Sequence, residues 1–402
     1  MNRSIVHLDL DTFFVSCERL IDSRLNNRPV LIGGTSDRGV VASCSYEARK
    51  FGVHSAMPMR MAKQLCPEAV VLKGNSGIYS KYSKLVTDII KEDVPVYEKA
   101  SVDEFYVDLT GMDQFFGCQK IASELRQKII RESGLPISFG LSVNKTVSKI
   151  ATGVAKPNNE LNILYGTEKP FLAPLSVKKI PMIGDKTYRI LCDLGVKKIQ
   201  SIQEMPIELM EKVFGKNGIV MWKKANGLDD SPVIQYQERK SISTERTFDK
   251  DTIDVQKVEA ILVAMAENLT FQLRRGKKLT ACITVKVRYT DFQTYTLQRQ
   301  IPYNSSDHII LPIVLELFRK LYNRRVLVRL IGVRYSHLVD GGHQISLFEN
   351  TDLLHLYQAM DKMRERYGDR IVMRASGMSA KSISRWNPFN GEPPPLLANR
   401  RV

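Results

Sequence analysis

The sequence predicts an α+β multidomain protein, and three observations carry that expectation. Its 402 residues exceed what one compact core holds, so two to four domains of about 150 residues each are expected. Up to Lys156-Pro157-Asn158-Asn159, short β-branched runs alternate with helical periods; beyond it the strand runs stop and Gly- and Pro-punctuated helical pieces take over. A last unit then returns to long strands paired with long helices.

Residues 4–10 (SIVHLDL) alternate apolar and polar positions around β-branched residues, which predicts a strand, and residues 12–20 continue as a helix. Further strands are expected at 29–33, 39–43, 69–73, 94–100, 105–109 and 136–142. Helices are expected at 75–92, 119–131 and 144–155, each with apolar residues three to four apart. Residues 170–230 predict a small helical domain. The polar stretch 231–248 lacks an apolar period and reads as a linker or extended connection. The last unit combines helices at 254–275 and 309–323 with strands at 279–290, 294–303 and 326–336. An amphipathic run at 353–368 precedes a Pro-, Gly- and Asn-rich end expected to be mobile.

Charge narrows the class of partner. The chain carries 59 Lys+Arg against 43 Asp+Glu, a net +16 with a pI near 9.5, which points to a polyanion. Residues 239–334 hold 18 of those cations and 9 acids. There Lys286, Arg288 and Arg299 alternate with apolar neighbours, which predicts one cationic sheet face for nucleic acid. No run of 18 uncharged apolar residues offers a membrane span. Cys17, Cys44, Cys66, Cys118, Cys192 and Cys282 form no C-x-x-C pair and read as thiols of a reducing interior; the N-terminus lacks a signal or transit pattern, so a cytoplasmic location is expected.

Acids at strand ends are the sharpest chemical signal: Asp9 and Asp11 in HLDLD, and the adjacent Asp103-Glu104 in SVDEFYVDLT. Carboxylates converging from neighbouring strands, with little local positive charge, are costly unless divalent cations bind them, and Mg²⁺ favours such hard oxygen ligands. Two ions could then activate an attacking oxygen and stabilise a leaving one. The alternative is ordinary turn carboxylates. Asp9 and Asp11 share a face by the two-residue period, so either could be the ligand. His7 lies on that face and reads as structural. Tyr46 and Arg49 stand three apart on an expected helix, where phenol and guanidinium could hold a triphosphate or simply form a surface pair. The sequence has neither a GxxxxGK[ST] loop nor a G-x-S-x-G elbow.

Five blocks in this order, HLDLDTFFVSCE, SYEARKFGVHSAMP, ASVDEFYVDLTG, GLSVNKTVSKIATGVAKPN and QISLF, closely resemble the Y-family translesion DNA polymerases, most of all the DNA polymerase IV branch. The resemblance implies a right-hand polymerase: palm at 1–11 and 75–168, fingers at 12–74, and a helical thumb with a helix-hairpin-helix at 169–232. A linker would follow at 233–242, an α/β little finger at 243–340, and a clamp-binding peptide and tail at 341–402. It implies a low-fidelity, template-directed enzyme that adds dNTPs to the 3′-hydroxyl of primer-template DNA with two Mg²⁺ ions, working as a monomer.

Residue by residue, the resemblance makes Asp9, Asp103 and Glu104 the metal-binding carboxylates, with the Leu10 carbonyl as a backbone ligand and Asp11 as a supporting acid. Phe14 becomes a steric gate against ribose, with Phe13 beside it against the sugar. Ser43, Tyr46, Arg49 and Lys156 match triphosphate-holding positions, and Ala42 and Ala56 match positions covering the nascent base pair. Gly184 and Lys186 become thumb contacts to DNA, although Met182 and Asp185 depart from the usual Pro-Gly-Ile-Gly hairpin. Gln344, Leu347 and Phe348 resemble the peptide by which bacterial polymerases bind the sliding clamp. The rivals are a two-metal nuclease or nucleotidyl cyclase, a polymerase V-like subunit needing accessory proteins, and a non-catalytic clamp-docked DNA-binding scaffold.

Overall fold

The computed structural model describes residues 3–36, 38–112, 117–235, 238–341, 351–368, 371–378 and 380. Two compact units divide them, one up to residue 235 and one from Glu238 onward. In the first unit a five-stranded sheet has the order β5-β6-β1-β7-β8, with β1 Ile5–Leu10, β5 Tyr97–Lys99, β6 Glu104–Asp108, β7 Ile137–Ser142 and β8 Glu160–Asn162. A three-stranded sheet, β3-β2-β4, comprises β2 Val30–Gly33, β3 Val41–Cys44 and β4 Val70–Leu72.

The alternation read in residues 4–10 works as a two-faced strand. Val6, Leu8 and Leu10 enter a core shared with α1 Phe13–Ile21, α4 Ser76–Asp93 and α5 Cys118–Ser133. His7 and Asp9 face the other way, toward α6 Lys145–Ala155; His7 Nδ1 lies 2.9 Å from the Thr152 hydroxyl of that helix. Gly140 in β7 explains how α6 comes so close. A Cβ there would stand 2.3 Å from the Ser148 carbonyl oxygen and 2.6 Å from the Ala151 Cβ. Two short helices, α2 Tyr46–Arg49 and α3 Met59–Leu65, close a separate core with Leu31, Val41, Val53 and Met57. Five more, α7 Glu168–Leu172, α8 Asp185–Asp193, α9 Ile199–Gln203, α10 Ile207–Phe214 and α11 Lys216–Ala225, share a core with Val147, Ile150 and Ala151 of α6.

The second unit is an antiparallel sheet in the order β11-β10-β12-β9, with β9 Ser241–Thr252, β10 Lys278–Tyr289, β11 Thr294–Asn304 and β12 Val328–Asp340. Helices α12 Val255–Arg275 and α13 Asp307–Leu321 cover one face. Two expectations need correcting. Residues 241–248 of the polar stretch belong to β9; this edge strand exposes one face, and its inner face carries Thr244 and Arg246 between Ile242 and Phe248, so no apolar period shows. The cationic face also splits. Arg299 pairs with Ile283 and shares the helix-covered face, where its guanidinium meets Glu316 of α13 at 2.8 Å. Lys286 and Arg288 lie opposite Thr296 and Thr294 on the open face, with Arg334 opposite Thr284. Lys286 there is paired with Glu245.

Beyond that sheet, α14 Thr351–Tyr367 and residues 371–378 pack on α12 and α13 through buried charge. Arg274 holds Asp361 bidentately at 2.6 and 2.9 Å, and Asp307 at 2.8 Å. Glu267 meets Arg374 at 3.4 Å and Arg364 at 3.8 Å. All six cysteines are unpaired. Among the described residues, no helix is long and apolar enough to cross a membrane.

Candidate active site

The antiparallel register of β1 and β6 sets Asp9 directly opposite Glu104. Asp103 immediately precedes β6, and its carbonyl accepts the Leu10 N–H at 3.0 Å. The Ser101 hydroxyl donates to the Asp103 carboxylate, while the Ser101 oxygen accepts the Glu104 N–H at 3.0 Å. Two strand ends and one turn thus bring Asp9, Asp103 and Glu104 to one edge of the sheet.

Contrary to the expectation of little local positive charge, each opposed acid has a lysine. Lys156 donates to Asp9, and Lys149 donates to Glu104 at 2.6 Å. Burial pushes Asp9 up to about 7 even against Lys156, and burial also raises Asp103. Burial would raise Glu104 as well, yet His7 and Lys149 hold it well below the carboxylate range. Burial lowers His7 to about 4, so its ring is neutral near pH 7, and its Nε2 is 3.9 Å from Glu104, beyond hydrogen-bond reach. Lys149 is thus the cation in direct contact with Glu104.

Asp11 is resolved by its surroundings. It lies past the end of β1, 1% exposed, and accepts from Ser138 Oγ at 2.7 Å, the Asn158 N–H at 2.6 Å and the Tyr46 hydroxyl at 3.1 Å. Its oxygens are committed to holding α2 and the Lys156 turn against the sheet, which leaves Asp9 as the ligand candidate. Lys156 also approaches Asp11 at 3.9 Å. Tyr46 sits beneath the Arg49 guanidinium at 4.9 Å, and Arg49 is exposed. Ser45 caps α2 through the Ala48 N–H.

Through Thr12, in the left-handed region at φ 43°, the chain turns into α1. Phe13 is buried in the core, whereas Phe14 is half-buried and stacks on Tyr79, ring centres 4.3 Å apart. Tyr79 is fixed by its hydroxyl to Glu18 at 2.6 Å. Ser43 is buried on β3, opposite Ile32 of β2. In the helical subdomain Gly184 caps α8 and Lys186 is exposed. Met182 takes φ 84°, keeping the backbone turn that glycine adopts without strain and exposing 65% of its surface. Gln344, Leu347 and Phe348 lie outside the described residues.

Sequence reasoning did not single out Lys149, Ser101, Ser138 or Tyr79. Lys149 alone left a signal, since Lys145, Lys149 and Lys156 repeat along one helical face. Among the described residues no three Asp, Glu, His or Cys side chains point at one centre, because Asp9 and Glu104 are turned onto lysines. The donors are all hard oxygens, already drawing cationic partners, and suit a divalent ion.

The model of the impB/mucB/samB family matches residues 8–153, and that of the family's C-terminal domain matches residues 239–347. The chain is 36% identical to the DNA polymerase IV of Dehalococcoides mccartyi over 371 residues, 91% of this chain and 95% of the relative. Its fold matches the Y-family DNA polymerase chimera Dbh-Dpo4(243-245)-Dbh with a TM-score of 0.75 and 26% identity, covering 84% of this chain and 99% of that one. The chain belongs to the Y family of DNA polymerases, in its DNA polymerase IV branch. A second solved structure, titled the insertion ternary complex of Dbh DNA polymerase, matches with a TM-score of 0.60 at 26% identity, covering 84% and 99% of the two chains.

This Y-family polymerase is a DNA-directed, translesion DNA polymerase that requires a divalent metal, built on the palm, fingers, helical thumb and little-finger plan.

Proposed function

We propose that this polymerase extends primer-template DNA by attack of the primer 3′-hydroxyl on the α-phosphate of a dNTP, with pyrophosphate leaving, at the edge marked by Asp9, Asp103 and Glu104. The supporting observation is the cross-strand opposition of Asp9 and Glu104 with Asp103 beside them, since it gathers three carboxylates at one sheet edge on rigid elements. With the Leu10 carbonyl, these residues would hold two Mg²⁺ ions, whose positive charge would favour phosphoryl transfer. Tyr46, Arg49 and Lys156 would hold the triphosphate, with Asp11 keeping Tyr46 and the Lys156 turn in place. The insertion ternary complex formed by the Dbh DNA polymerase supports DNA and nucleotide as joint ligands here.

Phe14 would act as the steric gate, its ring braced by Tyr79. Phe14→Ala is expected to raise ribonucleotide incorporation relative to deoxynucleotide by at least about tenfold, because removing a clash relaxes exclusion without adding binding. Single-nucleotide insertion with dCTP and CTP reads the ratio. An unchanged ratio would assign the gate elsewhere.

Lys286, Arg288 and Arg334 on the open sheet face would contact DNA phosphates, with Gly184 and Lys186 doing so from the helical subdomain. Arg299 is left out, since Glu316 holds it on the covered face. The motif Gln344-Ile345-Ser346-Leu347-Phe348 would dock a monomeric polymerase on a sliding clamp in the cytoplasm; its sequence pattern supports this. Leu347→Ala with Phe348→Ala should abolish clamp binding in a surface-plasmon assay while primer extension without clamp persists.

A further inference from the structure

The helix α6 and the residue after it carry Lys145, Lys149 and Lys156, four and seven residues apart. At 3.6 residues per turn the three lie along one face. Each ammonium meets an acid of a different strand: Lys145 with Glu98 on β5, Lys149 with Glu104 on β6, and Lys156 with Asp9 on β1. Gly140, by admitting α6 to the sheet, sets the reach of this row. Lys156 already has a place in triphosphate binding. Lys149 has none, although its contact with Glu104 is short and direct.

We propose that Lys149 is a positioning residue that neutralises Glu104 whenever no divalent ion is bound and competes with that ion for the same carboxylate. This rests on the reading of Asp9, Asp103 and Glu104 as the metal-holding set. The argument is electrostatic. Asp9 and Glu104 stand opposite each other with Asp103 and Asp11 beside them, and the side chains of Asp9, Asp11 and Glu104 are only 14%, 2% and 26% exposed, so acids at this edge need cationic partners in the metal-free protein. Lysines projecting from a fixed helix supply it without filling the site permanently. Lys149 keeps about a third of its side-chain surface exposed, so its ammonium can swing away on a flexible stem. Where it points at Glu104, it occupies one oxygen and repels an incoming dication.

Manganese binding by the full-length protein without DNA or nucleotide tests this, read from loss of the free Mn²⁺ paramagnetic resonance signal. Lys149→Gln is expected to bind Mn²⁺ about tenfold more tightly than wild type, as expected when one nearby opposing charge is removed. Lys149→Arg should restore weak binding. Mn²⁺ should also raise the melting temperature of Lys149→Gln by more than it raises that of wild type, which a packing role for the side chain would not produce. Equal, weaker or undetectable Mn²⁺ binding by Lys149→Gln would overturn the competition. Wild-type affinity retained in Asp103→Asn would instead overturn the metal-site reading beneath it.

Discussion

Asp103→Ala is expected to abolish primer extension while leaving the chain folded, with a loss in the insertion rate on the order of 10³-fold or more, because the donor set is truncated where charge must be stabilised. The structure separates these effects. The backbone of Asp103 closes the turn, with its carbonyl accepting from Leu10, whereas its carboxylate accepts from Ser101 within that turn. Burial raises the acid's pKa, so removing it also relieves a desolvation cost. Single-turnover insertion with dNTP and Mg²⁺ gives the rate, and circular dichroism checks the fold. A variant that stays folded and keeps a tenth of the wild-type rate would remove Asp103 from the reaction.

Arg274→Ala is expected to destabilise the second unit by about 3–5 kcal/mol, the cost of stripping a buried ion network of its central cation. Arg274 is only 10% exposed, contacts Asp307 at 0% and Asp361 at 16%, and its guanidinium lies 5.0 Å from the centre of the Tyr357 ring. Its loss removes the cation that Asp307 and Asp361 share and one of the ties between α14 and α12. Urea unfolding followed by tryptophan-independent far-UV signal measures the change. Replacing Arg274 by Met with Asp307→Asn and Asp361→Asn should recover much of the loss, since the stranded charges go with it. A cost below about 1 kcal/mol would place the network among solvent-screened surface pairs.

Much of this was legible because period and chemistry coincide in single segments. Asp9 and Asp103-Glu104 announce themselves as acids at the ends of β-branched runs, and the strands carrying them form within a residue or two of expectation. Long-range pairing was not legible. Lys149 and Lys156 reach acids 45 and 147 positions away, which no local pattern encodes. Asp11 looks equivalent to Asp9 until the chain leaves the strand after Leu10 and three donors converge on it. Arg299 was misplaced because the face of a β11 residue depends on its partner in β10, and the pairing that sets Arg299 opposite Ile283 is not written in either strand alone. The run at 353–368 revealed its amphipathic face; Arg274, the side chain that fastens it, lies in another helix.

The opposition of Asp9 and Glu104 also fixes how this gene can vary. Val6 and Leu8 sit in an apolar core, where exchange among residues of similar size is tolerated. A single extra codon between those for Ile5 and Asp9 is a different event: strand side chains alternate, so it would turn the carboxylate into that core while Glu104 stays behind. A mutational scan should therefore find the first strand permissive to missense changes at its apolar positions and closed to every in-frame insertion or deletion of one residue.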